Sequence, residues 1–164
     1  QSYTCTGYTI LRACDSSLVH FGTITTNKAD SIYYRANQVA TQLGAICSQY
    51  TSSKVAIEGL SFGLKGNATR DLAGLQFSII THLQYTLGIP DVYIISPTAV
   101  KKHATGSGGG KVKVTKQHMI DALPVYVLDK FKESGLKKTK GLADVADSYH
   151  IACACISSLP TGGV

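Results

Sequence analysis

The chain has 164 residues, with 16 Lys and Arg against 10 Asp and Glu, five Cys and no Trp. That length suits a single domain over residues 1–164, burying about 70% of the surface its unfolded form exposes. At 44% hydrophobic and 16% charged it is too apolar for a disordered chain, and no apolar run approaches the ~20 residues of a membrane span.

Residues 4–26 read as strands, with Tyr8 to Cys14 and Leu18 to Ile24 forming a hairpin about a turn at Asp15-Ser16-Ser17. Asp30-Ser31 caps a helix running to about Gln49, with Ile32, Ala36, Val39, Leu43 and Ile46 on one face. Val55-Ala56-Ile57-Glu58 is a short apolar strand ending in a carboxylate, and residues 59–66 are a loop. Leu72, Leu75, Ile79, Leu83 and Leu87 recur at helical spacing and predict a helix from Thr69 to Leu87, which Pro90 closes off. Val92 to Ile95 is another buried strand, and residues 98–103 a short helix. Thr105 to Gly110 is a flexible loop. Thr115 to Lys132 is helical, kinked or restarted at Pro124, and Leu142 to Ser157 is the last helix. The order βββ-α-β-α-β-α-α predicts a mixed α/β sheet with helices on both faces.

The charge is concentrated. Between Lys101 and Lys140 there are ten Lys and three acidic residues, a balance of +7, while the remaining residues carry −1. Such a block is the electrostatic footprint of a polyanion, because each neutralised phosphate releases condensed counterions. The alternative is a solubilising lysine surface. The block has no Arg, so backbone contact and shape recognition fit it better than bidentate reading of guanine. Cys5, Cys14, Cys47, Cys153 and Cys155 are odd in number, lie in apolar segments and form no C-x-x-C pair. This predicts reduced, buried thiols of a cytoplasmic protein rather than disulfides or a zinc site. Gln1 is preceded by no visible signal peptide.

Gly110-Lys111 fails as a phosphate loop, since Val112 stands where Ser or Thr is needed and Thr105 where the first Gly belongs. The carboxylates are more informative. Glu58 sits at the carboxyl edge of a strand, where ligands of α/β folds collect; the alternative is a charge meeting solvent. Asp144 and Asp147, three residues apart at the start of an apolar helix, project from one face, although Asp144 as N-cap with Asp147 as its acidic partner explains them equally. Three converging carboxylates would suit magnesium or manganese, and two such ions about 4 Å apart can clamp a phosphodiester undergoing displacement.

Four segments in order resemble the RuvC-like Holliday junction resolvases of the RNase H-like superfamily. Ser2 to Tyr8 resembles the end of the first-strand motif, Val55 to Glu58 the A-I-E motif, Val100 through Gln117-His118-Met119 the basic segment, and Ala143 to Ala152 the D-x-A-D-A-x-x-I-A helix. The resemblance implies an RNase H-like mixed five-stranded sheet, its first three strands antiparallel, flanked by helices. It implies a homodimeric, magnesium-dependent endodeoxyribonuclease that makes paired symmetric nicks in four-way or branched DNA. Glu58, Asp144 and Asp147 would hold two Mg2+ ions, with Mn2+ as a substitute. Lys101 and Lys113 match basic positions near the scissile phosphate, and Lys102, Lys111 and Lys116 join them as DNA contacts. Phe62 lies within one residue of an aromatic that stacks on an unpaired base. The Thr69–Leu87 helix, apolar on more than one face, is a dimer interface or a core helix. The family's first catalytic Asp would fall immediately before Gln1, so a trimmed chain or a protein without that ligand are both open; the retained Ser2–Tyr8 motif favours trimming. The Gly-rich loop looks more like a phage-encoded member, placing the protein in a bacterial or phage-infected cytoplasm. Two other readings remain: a catalytically inactive DNA-binding module of the same fold, and an RNase H-like nuclease of hybrids or linear DNA.

Overall fold

The structure, a computed structural model, describes residues 2–60, 66–108, 113–137 and 141–159. β1 (Cys5–Leu11) pairs antiparallel with β2 (Leu18–Thr25), in a register running from Cys5 opposite Thr25 to Leu11 opposite Leu18. The hairpin turns where the sequence predicts. Asp15 Oδ1 accepts from the Ser17 N–H at 2.9 Å, and Ser16 takes a left-handed φ of 56°.

No third strand follows among the described residues. After Thr25 the chain enters a polar turn, in which Asn27 Oδ1 accepts from the Ala29 N–H, and Ser31 at once caps α1 (Ile32–Gln49) through a bond from the Tyr34 N–H. A run of Asn, Lys, Ala, Asp and Ser offers no alternating apolar face, so nothing extends the hairpin. β3 (Lys54–Glu58) pairs in parallel with β4 (Asp91–Ile95), with Glu58 opposite Ile95. The crossover between them is α2 (Asn67–Thr81), which widens into a π turn at His82–Thr86 where His82 packs over Gly44 of α1. The single five-stranded sheet expected from sequence is therefore replaced, among the described residues, by two two-stranded sheets. The facing edges of β1 and β3 are separated by a mainly apolar cavity of about 660 Å³, which Tyr8, Leu43, Ile46, Cys47, Ile79 and Cys155 help to line.

Helices cover both faces. On one side Val39 and Ala40 of α1 and Leu75, Ile79 and Leu83 of the crossover pack with Ile24 and Ile57. On the other lie α3 (Pro97–Thr105), α4 (Lys116–Asp121), α5 (Val125–Glu133) and α6 (Leu142–Ser158). Ser96 and Pro97 start α3, and Gly106, at φ 74°, ends it. Pro124 separates α4 from α5, because a proline has no N–H to continue the first helix yet suits the start of a second. Phe131, fully buried, meets the Phe21 ring at 4.5 Å and the Tyr149 ring edge-on. α6 lies against β1, β3 and β4 and so bridges the two sheets. Its Ser148 hydroxyl bonds Thr9 Oγ1 of β1 at 2.7 Å, and its buried His150 ring nitrogen bonds the Met119 carbonyl of α4 at 2.8 Å. His150 is thus structural, as the sequence suggests for a lone helical histidine. All five cysteines are free. Cys155 is buried, but Cys14 is exposed, because it sits where β1 gives way to the hairpin turn rather than inside the apolar strand predicted from sequence. No helix among the described residues is long and apolar enough to cross a membrane.

Candidate active site

Two elements deliver the acidic side chains to one place. Glu58 is the last residue of β3, where the Gly59 N–H continues the parallel ladder by donating to the Ile95 carbonyl at 2.7 Å. Asp144 and Asp147 lie on the first turns of α6 and face the same way. The start of β1 closes the third side. Together Ser2, Cys5, Gly7, Glu58, Lys116, Asp144, Asp147, Ser148 and Ile151 line a polar pocket of about 190 Å³. Gly7 lets β1 reach α6: a Cβ there would come within 2.6 Å of the Val145 nitrogen and closer still to the Asp144 carbonyl.

The capping explanation of the two aspartates does not hold. α6 begins at Leu142 with Gly141, at φ 79°, as its N-cap, and no side chain caps it. Asp144 instead pairs with Lys116 at 3.6 Å, the Cys5 thiol donates to it, and both it and Asp147 line the pocket.

The electrostatics are those of crowded negative charge. Asp147 is pushed up to about 6, first by burial and then by the neighbouring charge of Glu58; Asp144 adds to this and Lys116 opposes it. Burial and the contact with Asp144 push the Cys5 thiol up to about 11, so it stays a neutral donor at neutral pH. Because Asp147 binds its proton more tightly in the folded chain than in the unfolded one, stability falls as pH rises from about 4 to about 6. At pH 7 the full cost is present. In EDTA, Asp147→Asn should therefore be more stable than the parent at pH 7, by up to about 3 kcal/mol, with most of the gain gone at pH 4; urea unfolding at the two pH values measures this.

The donor set fits a hard cation, since all three strong candidates are carboxylates. Among the described residues no three His, Cys, Asp or Glu side chains close tightly enough to encage an ion. The chemistry of the donor set suits Mg2+, which keeps several waters and needs only one or two protein carboxylates.

Of the lysines predicted to act, Lys116 lines the pocket, whereas Lys101 and Lys102 on α3 and Lys113 ahead of α4 do not. Lys101 is half-buried; Lys102 and Lys113 are exposed. Phe62 and Lys111 lie outside the described residues. Sequence reasoning named Ser2 to Tyr8 as a motif without assigning Cys5 or Gly7 a place in the pocket. A glycine amid β-branched and aromatic strand residues was the available signal.

The family profile described as "Crossover junction endodeoxyribonuclease RuvC" matches residues 2–153. The chain belongs to this family. The crossover junction endodeoxyribonuclease RuvC of Pseudothermotoga lettingae is 30% identical over 152 residues, covering 91% of this chain and 86% of that protein. Among solved structures, Thermus thermophilus RuvC aligns with a TM-score of 0.67 at 17% identity, over 93% of this chain and 87% of that one. The T. thermophilus RuvC in complex with a Holliday junction substrate aligns at 0.65 and 16%, over 93% and 85%. At those identities the structural likeness establishes the RNase H-like α/β fold. Family membership establishes the activity: an endonuclease that hydrolyses DNA phosphodiester bonds to resolve Holliday junctions.

Proposed function

We propose that residues 1–164 act as one nuclease domain that resolves four-way DNA by magnesium-dependent hydrolysis, through paired symmetric nicks. The observation that carries the reading is the meeting of Glu58 from β3 with Asp144 and Asp147 from α6 in one pocket, beside the start of β1. These three are the metal ligands. Two ions held there would lower the pKa of bound water and stabilise the oxygen that leaves phosphorus. The side chains do the rest: the carboxylates fix the cations, and Gly7 keeps β1 against the helix that presents two of them.

The basic block binds the DNA backbone. Lys101, Lys102 and Lys113 do not line the carboxylate pocket, which suits phosphate contact along the arms of a junction, and Lys111 belongs to the same basic segment of the sequence. Phe62, four residues after Glu58 in the sequence, stacks on an unpaired base at the crossover, worth about 1–3 kcal/mol. The dimer uses the outer face of the crossover helix, where Phe77 and Tyr85 are 74% and 85% exposed while Leu75, Ile79 and Leu83 serve the core. The test is nicking of an immobile four-way junction in Mg2+, with linear duplex and RNA–DNA hybrid alongside. Binding without nicking would favour an inactive module, and cutting of the other substrates a different RNase H-like nuclease.

A further inference from the structure

Lys116 stands where a metal nuclease would be expected to keep open space. Its ammonium lies 3.6 Å from Asp144 Oδ1 and lines the pocket with Glu58 and Asp147. Among the described residues it is the one basic side chain there. Its backbone is fixed. Thr115 and His118 form a reciprocal capping box at the start of α4, Met119 and Ile120 are buried, and His150 ties the Met119 carbonyl to α6. Position 116 is thereby held at a set distance from position 144.

The two partners differ in freedom. The Lys116 side chain is 71% exposed and that of Asp144 only 30%. An exposed ammonium on a four-carbon stem can swing away at small cost, whereas Asp144 is committed to the pocket. Three carboxylates without any cation would repel one another strongly, and Lys116 relieves part of that repulsion.

We propose that Lys116 is a built-in counter-cation of the carboxylate pocket: it occupies Asp144 when the metal is absent, competes with divalent ions for that carboxylate, and must move aside before the site closes around them. This rests on the proposed assignment of Glu58, Asp144 and Asp147 as metal ligands. It makes Lys116 a positioning residue that sets metal affinity.

The experiment is titration of the full chain with Mn2+ alone, without DNA, followed by calorimetry and by the electron paramagnetic resonance of free Mn2+. Lys116→Met keeps the stem and deletes the charge. It should tighten Mn2+ binding roughly tenfold at low ionic strength, from the repulsion of a unit charge a few ångströms from a divalent ion. The gain should shrink at 0.5 M salt. Lys116→Arg keeps the charge and should bind Mn2+ as the parent does, which separates electrostatic competition from a change in the helix. Unchanged or weaker binding in Lys116→Met overturns the proposal, as does equal tightening in Lys116→Arg. Asp147→Asn distinguishes the two levels. If it abolishes Mn2+ binding while Lys116→Met leaves affinity unaltered, the metal site stands and the counter-cation role falls. If Asp147→Asn binds Mn2+ as the parent does, the site assignment itself fails and the proposal with it.

Discussion

Glu58→Gln leaves a protein that folds and binds a four-way junction as the parent does, but cuts it at least about 10²–10³-fold more slowly. The size follows from deleting one charged group that acts on the developing transition state in a preorganised site. The exchange is nearly isosteric. Glu58 contributes its backbone to the β3–β4 ladder, opposite Ile95, and that backbone is untouched. Only the negative charge at the strand end is lost. A second signature should accompany the loss: Glu58 is the largest charged contributor to the raised pKa of Asp147, so in Glu58→Gln the Asp147 carboxyl should titrate nearer its ordinary value, by carboxyl-carbon NMR. Parent-like cutting by the variant would remove Glu58 from the chemistry.

Gly7→Ala should cost about 3 kcal/mol or more, lowering Tm by roughly 10 °C, and should reduce cleavage in whatever folds. The reason is what the new methyl group would meet. At Gly7 it is the backbone of α6 at Asp144 and Val145, which cannot rotate out of the way. Relief requires the helix start to move, and with it Asp144 and Asp147. Gly22, across the hairpin next to Tyr8, is the natural comparison. A Cβ there meets the hydroxyl end of the Tyr8 side chain rather than backbone, so Gly22→Ala should cost less than Gly7→Ala, about 1–2 kcal/mol. Thermal unfolding of the two variants measures the difference. Equal, small losses would mean that β1 and α6 are not held as described.

These effects share a cause that was only partly legible in the sequence. The elements that local chemistry controls were readable: Ser31 at the head of α1, Pro124 splitting α4 from α5, and Asp15 in the hairpin turn, while the short helix expected over residues 98–103 extends to Pro97–Thr105. So was the position of Glu58 at a strand end, because a carboxylate after three apolar residues marks where a buried strand stops. The number and joining of strands was not. Sheet pairing is set by long-range contacts, and no local pattern in residues 5–25 reveals that the edge of β1 faces β3 across a cavity instead of bonding to it. The choice between capping and site roles for Asp144 was likewise hidden. It depended on Gly141 being able to start α6 at a left-handed φ, one turn earlier than a capping aspartate would allow. Lys116 was visible only as one of ten lysines. What sets it apart is the docking of α4 on α6, through Met119 and His150, which brings position 116 to Asp144.

The central claim is that the pocket formed by Glu58, Asp144 and Asp147 cuts DNA at a four-way junction. Mapping the nicks at nucleotide resolution, in an immobile synthetic junction incubated with Mg2+ and the protein, tests this. Two nicks are expected, related by the junction's twofold symmetry, that require Mg2+ and are absent from linear duplex of the same sequence. Unpaired nicks scattered along the arms, or equal cutting of the linear duplex, would contradict it.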